Sequence, residues 1–526
     1  MSSIILITPT PPDISAFGVR SLSAFLRRAG HHTRLVFLPG SAGLLREGGE
    51  FFYRYEARVI DQLIELCKGF DFIGISFMTY YLDRAIQITQ AVKKNLNVPV
   101  IWGGIHATCK PEEALLHADM VCVGEGETAL KALLDGEKDI PGIWRKTEFS
   151  VIQTGTGPLI KCLDSLPFFD FSNEDHFILK PENMSIVPLT YNQFERALPL
   201  LPYYGSKLLK GFRIMTDRGC PHQCHYCNVP FIKRMYENGG IPYFRNRSVT
   251  HVVEELESVL LRFPFIKAIQ FFDDTFFARS TRWLTEFAVS YRDRIGLPFY
   301  CQASPTTLSQ AKLDLLIEAG MVYVEMGIQT GSQRVRSLYN RKETSQQIID
   351  GARMIHAKLH RLLPPDYHVI IDSPWENNED LFETIMLLQQ IPKPFGLAIS
   401  SLVLFPETEL YRRALADGLI MDELKEIVRR PFYIAPKKSY MHFLLYLLTF
   451  QNIPKWMFKI LLKDCIIRFC ERTDISTFYK TAYIVGESIR LADKGLKAIT
   501  SGDFDRIFNY FKRLWIKDPV VAGRKA

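Results

Sequence analysis

Short apolar runs alternate with amphipathic stretches over the first quarter of the chain. Runs at 4–8, 33–38, 72–77, 98–102 and 120–123 have the length and apolar character of strands. Residues 19–29 and 82–95 between them have the 3.6-residue period of helices. Strand and helix taken in turn predict a doubly wound parallel α/β sheet over residues 1–135. Residues 136–205 lose that periodicity and are rich in Pro, Gly and polar residues, so they are expected to form a linker. From 206 to 420 the alternation returns. Strand-like runs at 212–216, 268–272, 298–301, 322–327, 367–371 and 397–402 are separated by helical stretches such as 250–262, 309–319, 344–358 and 379–390. Six strand–helix units predict a partial (β/α)6 barrel, with ligands at the carboxyl ends of its strands. Residues 421–526 show helix-like patterns only.

Composition narrows this picture modestly. A chain of 526 residues can build two or three cores. The first residues run straight into a strand and Pro9, Pro11 and Pro12, unlike a secretion signal. Ten cysteines in that setting fit a reducing, cytoplasmic compartment better than a disulfide scaffold. A net charge of +7 does not call for nucleic acid. Residues 425–475 hold ten Lys or Arg against four Asp or Glu. The apolar run 440–448 within them is too short to span a bilayer. A helical cap over the barrel mouth and a peripheral membrane contact both fit that region.

The sharpest chemical signal is Arg218-Gly219-Cys220-Pro221-His222-Gln223-Cys224-His225-Tyr226-Cys227, which directly follows the first barrel strand. Three soft thiolates on one loop suit an iron–sulfur cluster, or zinc if His222 or His225 supplies a fourth ligand. With Tyr226 before the third cysteine, the run resembles the cluster loop of the radical S-adenosylmethionine (SAM) superfamily. That resemblance implies a [4Fe–4S] cluster held by Cys220, Cys224 and Cys227, whose fourth iron binds SAM.

The strand ends of the first domain carry Asp13-Ile14-Ser15-Ala16-Phe17-Gly18, Ser76-Phe77-Met78 and Gly103-Gly104. In this order they resemble the cobalamin-binding fingerprint. Ser15 stands where the cobalt-ligating histidine would be, so a bound cobalamin should take no histidine from this site. Asp13, Ser15, Gly18, Ser76, Gly103 and Gly104 are the implied cobalamin contacts. The run Val123-Gly124-Glu125-Gly126-Glu127-Thr128 strengthens the likeness to the cobalamin-bearing radical SAM subgroup.

The same resemblance places SAM contacts at Asp273 and Asp274, at Gln302 and Ser304, and at Gly327, Gln329 and Ser332, each set following a barrel strand. Acceptors are what an ammonium requires, whereas Ser332 could equally cap a helix. Two later runs depart from the branch's usual glycines, which appear here as Ser373 and Glu407.

The chain is therefore expected to be a cobalamin-dependent radical SAM enzyme methylating an unactivated carbon of a small-molecule or lipid-like substrate. Ferredoxin or flavodoxin would be its electron donor. Cyclisation or rearrangement, an RNA methylthiotransferase and a non-catalytic cobalamin sensor are the alternatives. The methylthiotransferase reading lacks a second cysteine trio: Cys67, Cys109, Cys122 and Cys162 are scattered.

Overall fold

The computed structural model describes residues 1–9, 14–39, 44–47, 50–147, 150–180, 183–429, 439–450, 453–472 and 476–500. The chain divides into two compact units. Unit 1 comprises residues 1–199, 210–267 and 403–430, and unit 2 comprises residues 200–209, 268–402 and 431–526.

Unit 1 is built on strands β1 (Ser3–Thr8), β2 (His32–Phe37), β3 (Phe72–Ser76), β4 (Val100–Gly103) and β5 (Met120–Cys122). They run parallel in the order β2-β1-β3-β4-β5. Helices α1 (Phe17–Arg28), α2 (Ala57–Cys67) and α3 (Leu82–Asn95) connect them. Ile4, Ile5, Leu6 and Ile7 are all buried, because a doubly wound sheet covers both faces of its central strand. The Trp102 ring meets Phe77 edge-on at 4.9 Å, and its indole N–H donates to Thr89 Oγ1 at 2.8 Å. A buried indole thus keeps its polar atom satisfied.

The expected connector differs most from its sequence reading. Within residues 136–205, strands β6 (Ile143–Lys146), β7 (Val151–Ile152), β8 (His176–Lys180) and β9 (Ser185–Pro188) extend the sheet to nine strands, in the order β9-β8-β2-β1-β3-β4-β5-β6-β7. Strand β8 joins β2 in parallel, while β6, β7 and β9 pair antiparallel with their neighbours. At two to five residues each they are too short to print a period on the sequence. Buried polar contacts hold β8: Asp170 meets the His176 ring at 3.0 Å and accepts from Ser23 at 2.6 Å.

Strand β10 (Leu208–Ile214) leads into the cysteine loop, which is followed by α4 (Val229–Met235) and α5 (Val249–Arg262). In unit 2, strands β11 (Ala268–Phe271), β12 (Phe299–Ala303), β13 (Met321–Gln329), β14 (Asp366–Ile371) and β15 (Gly396–Ser401) run parallel in chain order, the curled sheet of an incomplete barrel. Their helices are α6 (Thr281–Arg294), α7 (Gln310–Glu318), α8 (Gln333–Leu338), α9 (Ser345–His356) and α10 (Asn378–Gln390). Both α9 and α10 begin with a capping box, from Thr344 with Gln347 and from Asn377 with Asp380. Helices α11 (Tyr440–Leu448), α12 (Lys455–Leu461), α13 (Asp464–Arg472) and α14 (Ser476–Thr500) complete the unit, in line with the helical C-terminal expectation.

Candidate functional site

In unit 1 a cavity of about 490 Å³ opens at the carboxyl ends of β1, β3 and β4. Gly18, Ser76, Gly103 and Gly104 line it, together with apolar Leu6, Leu22, Ile101 and Leu130. Gly104 has φ +88, and a Cβ there would lie 2.7 Å from the Phe77 carbonyl oxygen and 2.9 Å from its nitrogen. Only glycine fits that turn. At Gly103 an added Cβ would meet nothing nearer than Cys122 Cβ at 3.9 Å, and at Gly18 nothing within 4 Å. Those two glycines leave room in the cavity and do not relieve strain. Ser15 is buried but does not line the cavity, and Asp13 lies outside the described residues. A cavity with glycines and apolar side chains on one side has room for the nucleotide tail of a cobalamin.

Asp217, Arg218, Gly219, Tyr243, Arg247 and His251 form the other side of this cavity. Residues 218 and 219 are the root of the cysteine loop, and they are anchored by the Glu125-Gly126-Glu127 run. Arg218 pairs with Glu125 at 3.1 Å and with buried Glu127 at 2.5 Å. Arg245, across a two-residue ladder from Arg218, reaches Glu125 at 2.6 Å. Glu125 Oε2 also accepts the Ile160 N–H at 2.8 Å. Burial alone would raise the Glu127 pKa, but Arg218 and the Ser21 hydroxyl hold it below the ordinary carboxylate value. Gly219 takes φ +86, where a Cβ would strike Tyr243.

The thiols themselves occupy one turn, with the Cys227 N–H donating to the Cys224 carbonyl at 3.1 Å. Cys224 is buried, while Cys220, Cys227 and Tyr226 are half-buried. The turn is held from behind: Asn228 donates to the Pro406 carbonyl at 2.6 Å, and the Leu410 N–H donates to the His225 carbonyl at 3.1 Å. Among the described residues no three His, Cys, Asp or Glu side chains converge on a single-ion site. A cube spreads its three thiolate ligands wider than one ion would, and three thiolates on a fixed turn fit it by donor chemistry. Cys67, Cys109 and Cys122 are buried elsewhere in unit 1, and burial pushes each thiol up to about 12. Protonated thiols of that kind are packing groups.

In unit 2 the expected SAM contacts fall into two kinds. Asp273 is wholly buried and ion-paired with Arg279 at 3.0 Å. Asp274 beside it reaches solvent, yet the dense protein around it and the Asp273 charge push its pKa up to about 6. Gln302 and Glu325 sit in register on β12 and β13, half-buried on the same face. The Glu325 carboxylate lies 3.5 Å from the His368 ring on β14, and its hydrogen bond raises the His368 pKa. Gln329 ends β13 at φ +66, beside a register shift, and its amide fills the space a Gly327 side chain would need. A left-handed glutamine is a costly conformation that its surroundings must enforce. The two serines behave differently. Ser304 shares its hydroxyl with Thr306 at 3.1 Å. Ser332 is fully buried, caps α8 and meets Asp380 at 2.7 Å. Both hydroxyls hold loops.

Sequence reasoning missed the Arg218–Glu127 clamp, and it missed Asp372. That residue ends β14 at φ +64, accepts from Ser401 and lies 3.1 Å from His442 of α11. The departures at Ser373 and Glu407 are accommodated simply: Glu407 takes the left-handed backbone itself, at φ +67.

A glycine-walled α/β receptor joined to a three-thiol loop at the end of a barrel strand defines a corrinoid-binding radical enzyme. The comparisons with known proteins agree. The Radical SAM superfamily model matches residues 214–388 and the B12 binding domain model matches residues 4–134. The chain carries a radical SAM domain and a B12-binding domain. The two domains imply a [4Fe–4S] cluster, SAM and cobalamin as its cofactors. An uncharacterized methyltransferase of Pyrococcus horikoshii is 26% identical over 424 residues, covering 76% of this chain and 82% of its own. Bacteriochlorophyllide d C-8(2)-methyltransferase of Chlorobaculum tepidum is 23% identical, covering 67% and 70%. Among solved structures, the radical SAM methyltransferase TsrM of Kitasatospora setae superposes with a TM-score of 0.60 at 16% identity, covering 79% of this chain and 78% of its own. That likeness is one of fold. Among the described residues no helix is long and apolar enough to cross a membrane.

Proposed function

We propose that this enzyme transfers a methyl group to an unactivated carbon of a small, largely apolar substrate. The observation that carries the reading is the unit 1 cavity, which the Gly103-Gly104 turn and the Arg218-Gly219 root of the cysteine loop line together. When bound, the cluster, SAM and cobalamin supply radical generation and a transferable methyl group. The residues of the chain bind and orient. Gly104 permits the turn beside the cavity, Arg218 and Glu127 fix the loop that presents Cys220, Cys224 and Cys227, and Asp274 and Gln329 offer an acceptor and an amide to SAM. Methyl transfer is favoured over cyclisation because two relatives with a named reaction are a bacteriochlorophyllide methyltransferase and a hopanoid C-2 methylase. The bacteriochlorophyllide relative supports an apolar acceptor. Ferredoxin or flavodoxin fits the need for one electron, and no feature of the site asks for nucleic acid.

The test is anaerobic reconstitution with cobalamin, then incubation of extracts with methyl-labelled SAM. Labelled product together with both 5′-deoxyadenosine and S-adenosylhomocysteine is expected. Deoxyadenosine alone with the true substrate would assign a cyclase or rearrangement enzyme instead.

A further inference from the structure

The C-terminal helices of unit 2 turn apolar surface outward. Helix α14 packs on α11 through one face: Tyr479 stacks on Phe443 at 5.1 Å, Tyr483 lies 4.9 Å from Tyr446, and Gly486 sits against the Tyr446 hydroxyl. Arg490 covers the Phe450 ring at 4.3 Å. Phe478, Val485, Ile489 and Leu496 fall on another face. Their spacing of 7, 4 and 7 residues aligns them along a helix of 3.6 residues per turn. Each is 51 to 62% exposed. On one flank lie Thr481, Ser488 and Ala492, uncharged and exposed; on the other the helical period places Ala482 and Asp493. An amphipathic helix normally turns its apolar stripe to the core; here the stripe faces away from it.

The neighbouring helices add aromatic tips and positive charge. On α12, Trp456 is 63% exposed, with Ile460 one turn on, flanked by exposed Lys455, Lys459 and Lys463. On α13, Phe469 is 65% exposed between exposed Arg468 and Arg472. Residues 453–472 carry those five cations against Asp464 and Glu471.

We propose that this face docks on an anionic lipid bilayer, with the α14 stripe, Trp456 and Phe469 entering the headgroup region and the lysines and arginines meeting lipid phosphates. Charge selects this occupant. Two copies meeting through the same patch would oppose their positive rims, whereas an anionic surface complements them. Exposed tryptophan beside lysine is the composition of a membrane interface. Contact is peripheral, since no described helix can span. The inference is independent of methyl transfer.

The test uses the full-length protein in vesicle flotation, with phosphatidylcholine alone or mixed with phosphatidylglycerol, at low and high salt. Wild type should float with the anionic vesicles at low salt and be largely released at high salt. Val485→Asp with Ile489→Asp should weaken binding by at least about tenfold. Lys459→Glu with Lys463→Glu should weaken it by about thirtyfold at low salt, at roughly 1 kcal/mol per cation. Circular dichroism checks folding, and Val485→Ser with Ile489→Ser replaces the aspartates if they unfold the helix. Three results would overturn the proposal. One is wild type that never floats with anionic vesicles. Another is a folded stripe variant that floats like wild type. The third is a wild-type dimer that the stripe variant converts to monomer while flotation is unchanged.

Discussion

The proposed cobalamin side of unit 1 and the proposed SAM side of unit 2 would solve one problem, positioning a large cofactor, by different means. In unit 1 the proposed contact surface has Gly18, Gly103 and Gly104 on one side and, on the other, Arg218 held in ion pairs with Glu125 and Glu127, which also line the cavity. In unit 2 the contact surface is made of polar side chains and strained backbone, with Gln329 and Asp372 both left-handed at strand ends. A glycine wall recognises by shape and tolerates little added volume. A polar, strained rim recognises by hydrogen bonds, and its strength follows pH and side-chain identity. The two sides should therefore break differently.

The largest effect is expected at the thiols. Changing Cys220, Cys224 and Cys227 together to alanine should abolish iron–sulfur absorption and deoxyadenosine formation; stoichiometric zinc in place of iron after anaerobic purification would refute the cluster. Next is Glu127→Gln, which takes from half-buried Arg218 one of its two carboxylates while Glu125 stays at 3.1 Å. Losing one charge-assisted contact of that kind should cost about 1–3 kcal/mol, so the thermal unfolding temperature should fall and cluster content with it. The Glu127 pKa is depressed, so this stabilisation is present above the usual carboxylate range and is lost as pH falls through the lowered value. Wild type and variant should converge in acid.

Gly104→Ala comes third. Its Cβ would meet the Phe77 backbone at positive φ, a strain of about 1–3 kcal/mol, and cobalamin retention should be lost while SAM cleavage survives. Gly18→Ala is the matched control, with no added contact within 4 Å, and should lose affinity without losing stability. Asp274→Asn tests the other side. With a wild-type pKa of about 6, the carboxylate gains a proton as pH falls through that value, so KM for SAM should rise below pH 6. The asparagine variant should have a flat profile in that range. The smallest effect is at Gln329→Gly, which removes a left-handed side chain and should stabilise unit 2 by about 1 kcal/mol. SAM affinity should fall all the same. An unchanged affinity would remove Gln329 from the SAM contacts.

The contrast also explains what could be read in advance. The central strands, the glycine turn at Gly103-Gly104 and the cysteine loop are local patterns, each complete within a dozen residues, and each appears where the pattern puts it. Glu127 and Arg218 are 91 residues apart, and no period or spacing links them. Only the fold brings them together. The short strands β6 to β9 were illegible for a related reason: runs of two to five residues carry no repeat, and β8 is held by the distant pairing of Asp170 with His176 and Ser23. Ser304 and Ser332 show why a lone hydroxyl is a weak signal: after a barrel strand it serves a loop as readily as a ligand. Asp372 gave no signal because left-handed backbone at an aspartate is set by Ser401 and His442, not by its neighbours in sequence.

The Arg218–Glu127 clamp bears on how the enzyme is assembled. The turn that carries the three thiols is rooted in acidic residues contributed by the N-terminal sheet, so iron loading is conditional on that sheet having folded. The barrel is then no independent cassette. A chain started after residue 135 would present the same three cysteines on an unanchored loop, and maturation would fail at cluster insertion even with every thiol in place. Fusion of the corrinoid receptor to the radical barrel would then set an order of construction: the N-terminal sheet must be finished before the thiol loop can be loaded.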